Sequence, residues 1–431
     1  MRAPRLSVPL LAIALAACGG RPVREPVTVV LLDIGPWYNQ AYAEWGRRAM
    51  EDFTRETGVV VSRVPAPESS DEQLVLERQI LEGGAPTPDV YIIDAIWPGM
   101  LAEHLLDLKP RLGPEAAQHF PALVANNVVR DRLVAIPYHA NVGTLFFRTD
   151  LLREYGYREP PATWDALQTM AAAIQKGERA KGHHDFWGYV WQGAAYEGLT
   201  CNALEWQASE GGGRIIEDDA TISVNNPRTI KAWERAAAWI GVVSPPEVIG
   251  YREVEAERLW RAGNAAFLRS WPYSYVASQE RASAVRGRFD ITFLPGGSGG
   301  RAAVLGENAL AVSRYSRHVD QAVALVRYLS RRDVQRARSR ATSLPPTIPD
   351  LYDDPEVLSA NPYYAPLKQV FLGGALSRPS SVSGANYAGV SRAYFRAVHT
   401  VLTRQQKAET AVASLEREIA WITGLPAAPR R

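Results

Sequence analysis

The chain predicts an α/β fold of two or three domains built on open, largely parallel sheets. Three observations carry that expectation. Strand-length apolar runs alternate with segments of helical periodicity, the mark of βα repetition. The first of these runs, residues 27–34, is apolar almost throughout instead of alternating, as suits a strand covered on both faces of a sheet. With 431 residues, 46% of them hydrophobic, there is chain enough for more than one core.

The elements follow in order. Ala41, Tyr42, Trp45, Ala49, Met50 and Phe53 recur at helical spacing until Gly58, a C-terminal stop. A second strand is expected over 59–64. Ser70 and Gln73 form a capping-box pattern for a helix that runs to Gly83-Gly84. Residues 89–93 make a third strand, and Pro98 opens another helix. Residues 133–136 and 142–147 read as strands on either side of Pro137-Tyr138. Thr163 is an N-cap, and 186–191 a further strand. Asn226-Pro227 joins a capping side chain to a proline at the first helical position, after which Ile230, Trp233, Ala237 and Ile240 line one face. Residues 265–268 and 290–293 are short strands. The run from Gly296 to Gly300 reads as a flexible linker, because it lacks the GK[ST] ending of a phosphate loop. From Val319 onward the pattern is mostly helical. No internal repeat is present.

The amino terminus bears on location. Arg2 and Arg5 precede an apolar run over 6–14 and the string Leu15-Ala16-Ala17-Cys18. A run this short, with small residues before a cysteine, reads as an export signal over 1–17 and not as a spanning helix. The string resembles a bacterial lipobox, which would put a lipid on Cys18. An ordinary secretory signal that happens to contain a cysteine is the other reading. Residues 18–26 follow as a polar tether, and a lipid there would anchor the protein to a membrane face in the periplasm or cell envelope. No later segment approaches bilayer length.

Composition narrows the partners. The chain holds 48 Lys and Arg against 46 Asp and Glu, and losing residues 1–17 removes Arg2 and Arg5, which leaves the charges balanced. Balanced charge without like-charge blocks argues against nucleic acid or a broad anionic surface as partner. Cys201 is the one cysteine besides Cys18, so no disulfide framework is expected. No GxSxG, HExxH or Cys/His cluster is present, and His183-His184 reads as a solvated turn, so no metal or cofactor is expected. Ser/His/Asp and paired-carboxylate sites assemble through space and leave no such trace, and nothing in the chain supports one.

Aromatic residues say more. The chain has twelve tryptophans. Trp37, Trp97 and Trp271 each sit just after a predicted strand, and in an open α/β sheet ligands bind beyond the carboxyl ends of the strands. An aromatic face there can stack on a sugar ring while neighbouring Asp, Asn, Glu and Arg hydrogen-bond its hydroxyls. Core packing is the competing reading for each ring.

At this point a family resemblance enters. Asp89-Val-Tyr-Ile-Ile-Asp94-Ala-Ile-Trp97-Pro98-Gly-Met-Leu-Ala with Leu105-Leu-Asp-Leu resembles the bacterial extracellular solute-binding proteins of family 1, which serve sugar ABC importers. So do Ile136-Pro-Tyr-His-Ala-Asn-Val-Gly143, Pro161-Ala-Thr-Trp-Asp-Ala-Leu167 and Gly263-Asn-Ala-Ala-Phe267. Three strings are most similar to the trehalose/maltose-binding branch: Asp94-Ala-Ile-Trp97-Pro98, Tyr196 to Trp206, and Leu376-Ser-Arg378-Pro.

The resemblance implies a two-lobed α/β periplasmic binding protein fold of type II, with discontinuous lobes around a hinge and cleft. One lobe would comprise 27–140 and 307–348 and the other 141–306 and 349–431, with crossings near 139–143, 304–308 and 345–349. Asp94, Asn39 and Gln40 would accept hydrogen bonds from glucose hydroxyls. Asn141 stands where relatives often carry an acid. Trp271 and Tyr273 would form a stacking platform, and Arg378 would reach in as a bidentate donor. Gly306 precedes Glu307, which replaces an aromatic residue of the relatives. Trp97, Tyr38, Tyr138 and Glu205 complete the ligand candidates. Hinge closure around ligand is the established behaviour of periplasmic binding proteins as a class.

The implied function is a monomeric lipoprotein that captures an α-linked disaccharide, trehalose before maltose, and delivers it to a membrane permease. The rivals are the same scaffold with a maltodextrin, polyol or glycerophosphodiester, and an exported glycoside hydrolase.

Overall fold

In a computed structural model of the chain, residues 26–33, 40–67, 70–342 and 344–429 are described. The signal sequence, Cys18, Trp37, Tyr38 and Asn39 lie outside them. Apart from a short hairpin of Val128–Val129 with Arg132–Leu133, the strands in chain order begin with β1 (Thr28–Asp33), β2 (Val60–Pro65) and β3 (Val90–Asp94). Next come β4 (Ile136–His139), β5 (Thr144–Arg148), β6 (Trp187–Val190), β7 (Ala265–Ser270) and β8 (Phe289–Thr292). The last are β9 (Ala303–Val304), β10 (Asn308–Val312) and β11 (Ala375–Leu376).

They form two main sheets, one per lobe. The first has the order β2-β1-β3-β10-β4, and the second β8-β5-β7-β6. In the first sheet β1 runs parallel to β2 and β3, while β10 returns antiparallel between β3 and β4. That return brings a distant segment into the middle of the first lobe, so the chain crosses between lobes more than once. A small parallel pair, β9 with β11, lies beside the crossings.

Both faces of the sheet's inner strands β1, β3 and β10 are buried, which explains their apolar runs, while the edge strand β2 stays partly exposed. Leu31, Val90, Ile92 and Leu310 face one cluster, and Leu32, Tyr91, Ile93 and Ala309 the other. The first cluster is covered by α1 (Gln40–Thr57), whose Tyr42, Trp45, Ala49 and Phe53 are buried as the periodicity predicts. Gly58 ends that helix at φ +73°, the left-handed conformation glycine adopts without strain.

Three local expectations change. In α2 (Ser70–Glu82), the Gln73 side chain does not turn back to cap the helix. It donates to Glu77 Oε1 and to the Ile92 carbonyl, because the residue is buried against the sheet. Pro137 and Tyr138 lie inside β4 and do not separate two strands. β4 is the sheet's edge, where the missing proline N–H breaks no inner ladder. The glycine run is tied down and not a flexible linker: Gly299 N donates to Ser209 O and Gly296 N to Ala162 O. A Cβ on Gly299 would come 2.4 Å from the Gly211 backbone, so these glycines serve close approach.

The described helices used below are α3 (Pro98–Leu101), α4 (Pro121–Asn126), α5 (Trp164–Ala180), α6 (Glu197–Ser209) and α7 (Pro227–Trp239). They are followed by α8 (Val319–Ser330), α9 (Arg332–Thr342), α10 (Ser380–Ser383) and α11 (Tyr387–Leu402). Thr163 caps α5 by accepting from Ala166 N. Asn226 caps α7 by accepting from the amides of Arg228 and Thr229. Asn226→Ala is expected to cost about 1 kcal/mol in chemical denaturation, the usual loss for a cap of this kind. An unchanged midpoint would mean the Pro227 start alone holds the helix.

Most of the tryptophan excess is core. Trp164, Trp191, Trp206, Trp233, Trp239 and Trp260 are buried in the second lobe, and Trp191–Trp206 and Trp206–Trp239 meet edge to face at 4.9 and 5.8 Å. Edge-to-face pairs of this kind add to the area they bury. Among the described residues, no helix is long and apolar enough to cross a membrane.

Candidate functional site

The crossings assemble a polar junction between the sheets. Val142 bridges Leu305, and Gly306 N donates to Asn141 O, so the first two crossings run side by side. Ala140 N donates to Pro345 O, which brings the third connection alongside. β10 then starts at Asn308, paired directly with Asp94 at the end of β3.

Asp94 and Arg378 approach across this junction. Arg378 follows β11, is 6% exposed, and places Nη2 3.9 Å from Asp94 Oδ1. Its Nη1 donates to Glu197 Oε1 at 2.8 Å and its Nη2 to Leu305 O at 3.0 Å. Asp94 Oδ1 also accepts from Ile96 N at 3.1 Å. Burial raises the Asp94 carboxyl above its ordinary range, and the Arg378 guanidinium pulls it back.

Glu307 lies beside them with no exposed surface. Its Oε1 accepts from Asn126 Nδ2 at 2.7 Å, and its backbone carbonyl from Ala95 N. Asn126, at the end of α4, also donates to Ala95 O, so one amide ties β3 to β10. Burial pushes the Glu307 carboxyl up to about 7. Three buried polar atoms of the junction have no hydrogen-bond partner among the described residues: Glu307 Oε2, Asn141 Oδ1 and Arg378 Nε. Buried polar groups are rarely left unpaired without a reason.

The aromatic wall is Trp271, 8% exposed. Arg269 stands 4.2 Å over its ring, and a Cβ on Gly306 would come 2.7 Å from its Cζ3. Only glycine lets that crossing pass so close to the indole. Tyr273 is half-buried just beyond, at the start of the next helical turn.

Other expected ligand residues are already engaged within the protein or lie away from the junction. Glu205 is fully buried and gives both carboxylate oxygens to Arg269, with Val304 N donating to Oε1 as well. Trp97 is 2% exposed in a core cluster with Ile93, Leu101 and Leu105, so little of its face is left for a sugar. Tyr138 belongs to the cluster under α1, hydrogen-bonded to Tyr42 OH, which donates to Asp33. Gln40 is exposed as the first residue of α1. Asn39 and Tyr38 lie outside the described residues. The junction thus gathers Asp94, Asn141, Trp271, Gly306, Glu307 and Arg378, and not Trp97 or Tyr138.

Sequence reasoning gave no role to Glu197, Asn126 or Arg269. Arg269 had a signal: a charge two residues before Trp271, inside a strand whose preceding residues are all apolar. Glu197 lay within the recognised string, but nothing local tells an anchoring acid from a solvated one. Asn126 had none, since it works through contacts far away in sequence.

A family model of bacterial extracellular solute-binding proteins matches residues 36–336. The chain belongs to that family. This solute-binding protein is 44% identical over 380 residues to a Deinococcus radiodurans protein named as a probable ABC transporter-binding protein, which spans 88% of this chain and 90% of that one. It is also similar to the maltose-bound structure of T. maritima MalE3, at 32% identity and a TM-score of 0.80, over 92% of this chain and all of the other. A Thermotoga lettingae solute-binding protein bound with α-D-tagatose shares the fold, at 21% identity, a TM-score of 0.77 and 92% coverage of this chain and 100% of that one. The solute-binding protein is accordingly not an enzyme, and its fold is the two-lobed α/β arrangement of periplasmic binding proteins.

Proposed function

We propose that this protein is the capturing subunit of an ABC importer and that it takes an α-linked disaccharide, trehalose before maltose, between its lobes. One observation carries the reading. Asp94 from the first sheet and Arg378 from the far side of the crossings approach each other beside the second crossing, where Gly306 packs on Trp271, and Arg378, Glu307 and Asn141 each keep an unpaired polar atom among the described residues. A carboxylate and a guanidinium side by side suit vicinal hydroxyls, and an indole suits the apolar face of a pyranose. The maltose in the T. maritima relative supports a glucoside.

We place the lobe boundaries at 140/141, 306/307 and 348/349; the membership of β10 in the first sheet and of β5 to β8 in the second supports the first two. A ligand touching both sides favours the closed form by its differential affinity. The loaded monomer then docks on the permease, held near the membrane by a lipid on Cys18.

A thermal-shift or calorimetric panel of disaccharides tests this. One or two should stabilise the protein in proportion to the logarithm of their concentration, and the sugar should be recovered intact. Response to no carbohydrate, or release of glucose, would sink the reading. Asp94→Ala and Trp271→Ala should each weaken binding by about 1–3 kcal/mol, the worth of a charge-assisted hydrogen bond or a buried ring contact. Unchanged affinity in both would move the site elsewhere.

A further inference from the structure

Arg378 stands between two carboxylates from opposite sides of the junction. It bonds Glu197 at 2.8 Å, while Asp94 at 3.9 Å lies beyond hydrogen-bond reach. Glu197 opens α6, in the second lobe, and is itself held in place. Tyr387 OH and Ser391 Oγ, both on α11, donate to its two oxygens. The guanidinium is further fixed by its bond to Leu305 O at the crossing. Its Nε–H is buried and has no partner among the described residues. A buried cation seeks the best carboxylate within reach, and here the second lobe wins it by a short, supported contact.

We infer that Glu197 is the positioning residue of the ligand site, which keeps Arg378 on the second lobe so that Arg378 and Asp94 both stay open to ligand. The inference rests on the reading of Asp94 and Arg378 as ligand groups. Without the Glu197 charge, Arg378 turns to Asp94. The two then satisfy each other across the junction, and a sugar has to break that ion pair before it can bind.

Glu197→Gln removes the charge and keeps the shape. Its affinity for the disaccharide that the wild type selects should fall about tenfold or more, the equivalent of one charge-assisted hydrogen bond. A structural role alone could also weaken binding, so a double-mutant cycle with Asp94→Asn in ligand-free protein decides. In the wild-type background Asp94→Asn should move the urea unfolding midpoint little. In the Glu197→Gln background it should lower the midpoint markedly, because Arg378 has by then come to depend on Asp94. Equal effects in both backgrounds would overturn the inference, as would wild-type affinity in Glu197→Gln. If Glu197→Gln does not fold, Tyr387→Phe loosens the same carboxylate and should show the same coupling on a smaller scale. Absence of that coupling counts equally against it. A wild type that binds no disaccharide defeats the proposed function alone, since the unfolding cycle uses no ligand.

Discussion

Truncating Glu205 to alanine should cost about 3–5 kcal/mol of folding stability, the range for removing one partner of a buried ion pair. The pair is fully enclosed. Arg269 and Glu205 both have no exposed side-chain surface, and two hydrogen bonds of 3.0 and 2.6 Å join them. Burial works against the Arg269 cation, but Glu205 outweighs it and raises the guanidinium further above its ordinary range. Removing Glu205 leaves a cation that cannot shed its proton and has no water to replace its partner. Gln192 Oε1 at 3.4 Å and the Trp271 ring cannot neutralise it.

The cost would not stay local. Glu205 also accepts from Val304 N in the second crossing, and Gly143 in the first lies so close that a Cβ would come 2.0 Å from Glu205 Oε1. Both crossings therefore lean on one carboxylate. The double variant Glu205→Met/Arg269→Met should recover most of the loss, since apolar groups of similar volume can replace a buried pair at little cost. Urea unfolding of the single and double variants checks this. A single variant within about 1 kcal/mol of wild type would show that water or Gln192 already serves the cation, and would refute the account.

These buried charges explain where sequence reading worked and where it stopped. In the first sheet β1 and β3 were legible as short apolar runs bounded by turn residues, whereas β10 carried no signal that was read, and β4 lies three residues beyond the run expected for it. Asn226 and Thr163 were legible because a cap acts within three residues. Gln73 misled for the same reason reversed: its local partner lost to Ile92, nineteen residues away, once the helix packed on the sheet. The site divided likewise. Asp94 and Arg378 sit in strings that resemble a family and approach each other, while Trp271, legible as an aromatic residue after a strand, packs on Gly306 at the crossing. Trp97 looked like a rim residue because it follows a strand, yet the turn into α3 carries its ring inward. Glu205 reads the same in sequence whether it faces a sugar or an arginine. Only the fold shows that Arg269 had claimed it.

The second large effect concerns Glu307 and runs with pH. Burial raises its carboxyl from an ordinary value near 4.5 to about 7 in the folded protein, with Arg378 and Asn126 opposing and Asp94 adding to the rise. Between these values the folded state keeps a proton that the unfolded state has lost. Stability therefore falls as pH rises across the window from about 4.5 to 7, and the loss totals about 3 kcal/mol at and above neutrality. Below that window both states are protonated and the penalty is absent. Glu307→Gln keeps the oxygen that accepts from Asn126 and cannot ionise. The variant should match wild type at pH 4.5 and gain about 2–3 kcal/mol on it at pH 8, read by urea unfolding at several pH values. Other buried acids, such as Glu77 and Glu257, titrate alike in both proteins and cancel in the difference. A gap that does not widen with pH would mean that Glu307 is charged in the folded state, its free oxygen met by Arg378.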